Sequence, residues 1–100
     1  MAATTKAEAQ RILGEVPQDK VFWMNDGKIL KKLSDLEAAL KEMSDNTFHY
    51  HVNSEKNDFY KWVGEVIGDD RLARELFRAT SRLQATKTVG TRISSLLRSR

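Results

Sequence analysis

Asp70-Arg-Leu-Ala-Arg-Glu-Leu-Phe-Arg-Ala-Thr-Ser-Arg-Leu83 repeats its apolar and charged residues at helical spacing. At about 100° per residue, Arg71, Arg74, Arg78 and Arg82 fall within an arc of about 80°. Leu72, Leu76, Ala79 and Leu83 take the opposite face, with Ala73 and Phe77 beside them. Like charges three or four residues apart cost an isolated helix a few tenths of a kcal/mol each. Glu75 is the one acid within the stripe. The pattern predicts a helix over 70–83 that buries its leucines and presents a row of arginines.

Downstream, Ala85-Thr-Lys-Thr-Val-Gly90 is β-branched and ends in glycine, with little apolar periodicity, so a flexible link is expected there. A last short helix would follow, with Ile93, Leu96 and Leu97 as its apolar edge and Arg92, Arg98 and Arg100 as cations. The expected organisation is one helical domain over 1–84 and a basic C-terminal extension over 85–100.

Upstream, Asp69-Asp70 places negative charge at the start of the arginine helix, where the helix dipole favours it. Asn57 suits the start of a helix over 58–67 with Phe59, Trp62, Val63 and Val66 as its stripe, and Gly68 suits its C-terminal turn. Ser34-Asp-Leu-Glu37 has the form of a capping box before a helix lined by Leu33, Leu36, Leu40 and Met43. Ser44-Asp45 can cap the next segment. Val21 to Leu30 reads as a β-hairpin about Asp26-Gly27, a pair suited to a type I′ turn. A first helix over 5–15, with Ala9, Ile12, Leu13 and Val16, is blocked from continuing at Pro17. The fold class that follows is mostly α (α+β), five or six short helices around one small hairpin. The expected core is Leu13, Phe22, Leu33, Leu36, Leu40, Phe48, Phe59, Trp62, Val66, Leu72, Leu76 and Leu83.

One hundred residues support one modest core. The chain has no cysteine, which excludes disulfides, thiolate metal sites and cysteine nucleophiles and fits a reducing cytoplasm. No run approaches the ~20 apolar residues of a membrane span, and Met-Ala-Ala-Thr-Thr-Lys-Ala-Glu lacks the apolar run of a secretory signal. The net charge of +3 is unevenly spread. Residues 1–70 carry 9 basic and 13 acidic residues, whereas residues 71–100 carry 8 basic residues and one acid. That polarity favours an anionic partner.

Phe22…Asn25-Asp26-Gly27, Leu33-Ser-Asp-Leu36…Leu40…Met43-Ser-Asp45, Phe48-His-Tyr-His51-Val52-Asn53, Asn57-Asp58-Phe59…Trp62-Val63 and Ile67-Gly68-Asp69…Leu72-Ala73 follow one another in the chain. Over about residues 21–77 this order resembles an uncharacterised, mainly archaeal domain family, DUF5752. The shared pattern is an Asp-Gly turn, a leucine-rich helix, Phe-x-x-His-Val, Asn-Asp-Phe-x-x-Trp and Gly-Asp before a final helix. The resemblance implies a small, mostly helical domain, used alone or attached to larger proteins, with no established activity and no catalytic residue to carry over.

The residues that could carry chemistry have plain alternatives. His49 and His51 would share one side of a strand and could begin a metal site. In a helix capped by Ser44 they lie about 200° apart, and Phe48, His51 and Val52 share the inner face; the helix is favoured. His51 is then a core histidine bonded to a carbonyl or carboxylate. Asn57 and Asp58 with His51 suggest an acid–base pair, but neither a phosphate-binding glycine loop nor a nucleophile elbow accompanies them. Most of Trp23, Phe48, Phe59, Trp62 and Phe77 fit inner faces, which leaves Tyr50 and Tyr60 as the exposed aromatics.

The expected function is therefore a non-enzymatic interaction module, with no catalytic residue, metal or cofactor. It would dock an acidic partner protein or assembly through Arg71, Arg74, Arg78 and Arg82, with Lys87, Arg92, Arg98 and Arg100 adding range. Arginine suits bidentate carboxylate or phosphate contacts. Sequence-independent binding to a DNA or RNA backbone, ribosomal RNA included, is the alternative. A metal protein using His49, His51 and Asp58, self-association through Ile93, Leu96 and Leu97, and a solvated face paired with the acidic first 70 residues are the other readings.

Overall fold

Six α-helices and a two-stranded antiparallel hairpin, with a 3-10 turn at Gln18–Lys20, make up most of the regular structure among the described residues, 4–100, of a computed structural model. Residues 1–3, the start of the stretch read for a signal, lie outside them. The elements run α1 (Lys6–Leu13), β1 (Phe22–Trp23), β2 (Ile29–Leu30), α2 (Leu33–Glu42), α3 (Asp45–His51), α4 (Asp58–Trp62), α5 (Asp70–Arg78) and α6 (Arg82–Ser99). A π-helical turn, Val63–Ile67, continues α4. The mostly helical architecture with a small hairpin is the one expected.

Side-chain caps set most helix starts. Thr5, Ser44, Asn57 and Asp69 each accept the backbone N–H of the residue three positions on, which satisfies a donor that the helix itself leaves orphaned. Gly68, at φ 80°, ends the π turn in the left-handed conformation, as its place before Asp69 suggests.

Three local expectations are corrected. The hairpin does not turn through type I′, since only Gly27 has positive φ and Asp26 does not. Gly27 N–H bonds Met24 O and Met24 N–H bonds Lys28 O, a three-residue loop in which a type I turn is followed by a left-handed glycine. Ser34 does not cap α2. The helix begins two residues earlier, at Leu33 instead of Asp35, and Lys32 in the cap position supplies no side-chain cap. Leu33 is fully buried, which moved the start, and Asp35 accepts the N–H of Lys31, just ahead of the helix, at 2.9 Å. The first helix spans Lys6–Leu13 with Gly14 as its C-cap, so it stops two residues short of the expected 15.

The largest correction concerns the arginine helix. It stops at Arg78, Ala79 is extended at ψ 122°, and a new helix starts at Arg82. Ser81 accepts Gln84 N–H at 3.1 Å, while Gln84 Oε1 accepts Thr80 N–H at 3.0 Å. The break changes the register. Leu83, expected in the core, is 73% exposed, and Phe77 is 66% exposed. The expected link over 85–90 lies inside α6, which runs without interruption across the proposed boundary at 84/85. Ala85, Val89, Ile93 and Leu96 are buried, a stripe that secures the helix against its poor local propensity. Ile93 and Leu96 are thus spent on this chain's own core, and of the apolar edge considered for self-association only Leu97 is exposed.

The core lies where α6 packs along α2, α1 and α5. Leu33, Leu36, Leu40, Phe48, Phe59, Trp62, Leu72 and Leu76 are buried as expected, with Leu13, Phe22 and Val66 half-buried against them. Full burial of one such side chain contributes about 1.5–3 kcal/mol. Phe22 turns inward to Phe59, Trp62 and His51, so Trp23, its neighbour on a strand, points outward and is exposed. The radius of gyration, 12.8 Å, equals the roughly 13 Å of a 100-residue domain. No helix is long and apolar enough to cross a membrane among the described residues.

Candidate docking face

Asp69 holds α5 at both levels. Its Oδ1 accepts Leu72 N–H at 3.1 Å, and its Oδ2 accepts Arg92 Nε–H from α6 at 2.7 Å. Leu72, Ala73 and Leu76 then face inward, and Arg71, Arg74 and Arg78 stand on the opposite side, all exposed. They span an arc of about 60°. Among the described residues none of the three makes an ion pair or a side-chain hydrogen bond.

The other five cations singled out in the sequence divide differently. Arg82 has left the stripe: its Nη1 donates to Leu40 O at 2.8 Å and Lys41 O at 3.4 Å, and its Nε to Asp45 Oδ1 at 3.2 Å. It closes the C-terminus of α2, where orphan carbonyls and the helix dipole favour a cation. Arg92 is buried against Asp69 and is not available to a docking partner. Internal charge pairing therefore accounts for Arg82 and Arg92, and not for Arg71, Arg74 and Arg78. Lys87 and Arg98 are exposed on one outer stripe of α6, and Arg100 is exposed at its end.

An aromatic pair adjoins the row. Phe77 and Tyr60 have ring centroids 5.0 Å apart at 58°, and Tyr60 is 40% exposed. Asn57 ties together the backbone behind both rings. Its Oδ1 accepts Tyr60 N–H at 2.9 Å, and its Nδ2 donates to Leu76 O at 3.3 Å, the carbonyl just before Phe77. Tyr60, Phe77, Arg74 and Arg78 line one small depression. Tyr60 and Arg74 also line a groove shared with Glu65 and Asp70, so the cationic part of the face is the outer ridge of α5. The exposed Tyr60 was legible in the sequence; Phe77 was not, because it lies beside the inner face of the helix and spacing alone does not show that nothing covers it.

The histidines stay apart. His49 is exposed, whereas His51 is 3% exposed. His51 Nε2 accepts Asn25 N–H at 3.2 Å, which leaves Nδ1 to donate to Asp58 Oδ2 at 2.9 Å. Both ring nitrogens are thereby engaged in holding the hairpin loop to α3 and α4. Lys56 Nζ also bonds Asp58, at 3.0 Å. No three His, Asp or Glu side chains converge as a cation site among the described residues.

Compared with known proteins, the chain matches no family model, no curated protein and no solved structure.

Proposed function

We propose that this chain is a non-enzymatic interaction module that docks an acidic protein partner or assembly on the outer ridge of α5. The observation that supports it is the row Arg71, Arg74 and Arg78, left without internal partners while Arg82 and Arg92 are consumed by the fold. Three like charges on one ridge raise one another's cost, and a carboxylate-bearing partner relieves it through charge-assisted, bidentate hydrogen bonds. Lys87, Arg98 and Arg100 add long-range attraction.

A phosphate backbone offers the same charge, and nucleic-acid binding is the competing proposal. Against base stacking stands the 58° tilt of Tyr60 on Phe77, which offers no two parallel rings to successive bases. For residues 21–77 we keep the resemblance to the DUF5752 domains as a proposal; Gly27, the Asn57 cap and Gly68 occupy turn and cap positions that suit their place in that pattern.

Fluorescence anisotropy with labelled poly-glutamate and a labelled single-stranded RNA, titrated at several salt concentrations, tests the reading. Poly-glutamate is expected to bind at low salt and to weaken as salt rises. The Arg71→Gln/Arg74→Gln/Arg78→Gln variant is expected to bind it about tenfold or more weakly, each tenfold being about 1.4 kcal/mol. Equal binding by the variant overturns the assignment to α5. Tighter RNA binding with a slope near −0.7 per phosphate contact in log[salt] replaces the acidic protein with nucleic acid.

A further inference from the structure

We infer that the occupant of this face is an acidic protein segment carrying an aromatic or leucine anchor beside its carboxylates, the anchor seating on Phe77 and Tyr60. The inference rests on the docking reading and names the class of partner. A purely electrostatic face has no use for exposed aromatic rings, and α5 places one in its cationic last turn. Phe77 is 66% exposed and immediately precedes Arg78, and Arg74 stands one turn before Arg78. Tyr60, from α4, closes the far side of the depression that Arg74 and Arg78 share with Phe77.

The combination defines the ligand. Tyrosine, phenylalanine and arginine grouped at one surface are the residue types enriched in protein–protein contacts, and an apolar anchor laid against the rings loses its water shell while guanidinium groups hold flanking carboxylates. The backbone that carries the rings is held before any partner arrives. Asn57 caps α4 just ahead of Tyr60 and bonds the carbonyl of Leu76, so the two helices need no backbone reordering to present the rings. An acid-only polymer would leave Phe77 in water; a strand of bases would need ring faces that the 58° tilt does not supply.

The test is a peptide-display selection from a random library on the full chain, followed by anisotropy with the enriched peptides and with an oligo-dT of about 12 nucleotides. Expected are sequences with two or more Asp or Glu within a few residues of Phe, Tyr, Trp or Leu. Their affinity is expected to fall about tenfold with Phe77→Ser and about tenfold or more with Arg74→Gln/Arg78→Gln. Circular dichroism and the urea midpoint of each variant check that the fold persists; a variant that does not fold is replaced by Tyr60→Ser, which sits on the other wall of the same depression.

Acid-rich peptides without an apolar residue, indifferent to Phe77→Ser, overturn this inference and leave the docking reading standing. Neutral or basic peptides, or no enrichment, overturn both. Oligo-dT binding that Phe77→Ser abolishes makes nucleic acid the occupant and overturns the inference as well.

Discussion

Arg92 Nε donates to Asp69 Oδ2 at 2.7 Å, with 7% and 2% of their side chains exposed, across 23 residues of sequence. The same carboxylate group caps α5 through Leu72 N–H. One buried pair thus fixes the start of the helix that carries the free arginines and the rotation of the helix that packs behind it. A buried ion pair is weak evidence of net stability, because desolvation offsets its attraction, yet removing one partner is costly.

Asp69→Asn keeps the cap, since asparagine caps as well as aspartate, and leaves Arg92 charged and buried without a counter-ion. Urea unfolding is expected to show a loss of about 3–5 kcal/mol. Adding Arg92→Met in the same chain should recover part of it. No recovery would mean that the cost lies in the cap and not in the charge.

Two glycines are expected to respond in opposite directions to alanine. A Cβ at Gly68 would meet Arg11 Nη1 at 2.8 Å and would hold a side chain at φ +80°. Arg11 there bonds Ile67 O and Gly68 O, so Gly68→Ala should destabilise by about 1–2 kcal/mol or more. At Gly90 the obstacle is Glu37 Oε2, 2.6 Å away, the movable end of a side chain that also lies 3.7 Å from Lys41. Gly90→Ala should be neutral to stabilising, by up to about 1 kcal/mol of helix propensity. The urea midpoints of both variants check the contrast.

Arginines that the sequence grouped together are expected to separate by measurement. Arg82→Met removes the donors to Leu40 O and Lys41 O and should cost about 1 kcal/mol of stability. Arg74→Gln and Arg78→Gln, on the open ridge, should stay within about 0.5 kcal/mol of the parent. Thermal and urea denaturation of the three variants decide this. A loss with Arg78→Gln as large as that with Arg82→Met would place Arg78 in the fold and remove it from the docking face.

His51 should carry its proton on Nδ1, because Nε2 accepts from Asn25 N–H. Long-range 15N–1H correlation of the imidazole ring reads the tautomer directly. His51→Leu preserves bulk but strands Asn25 N–H and takes one partner from Asp58, so a loss of about 1–3 kcal/mol is expected.

Much of the fold was legible from residue spacing. Ser44, Asn57 and Gly68 mark helix ends through bonds that span at most a few residues, and such local chemistry does not wait for the rest of the chain. Ser81 with Gln84 is the same kind of signal and could have placed the break after Arg78. The leucine spacing across it read as continuous, and that obscured it. Ser34 with Glu37 misled for the opposite reason, because burial of Leu33 outweighed a good local cap.

The sequence by itself determined the helical class, the hairpin, the main core residues of α2 to α5 and the cationic character of the C-terminal third, since periodicity, caps and charge are properties of neighbouring residues. Only the tertiary structure decided which arginines are free. Arg82 meets carbonyls 41 and 42 residues away, Arg92 meets a carboxylate 23 residues away, and Phe77, expected on an inner face, is left in water beside Tyr60. A charged side chain is used up or left over according to what folding brings within about 3 Å of it, and spacing along the chain does not encode that distance.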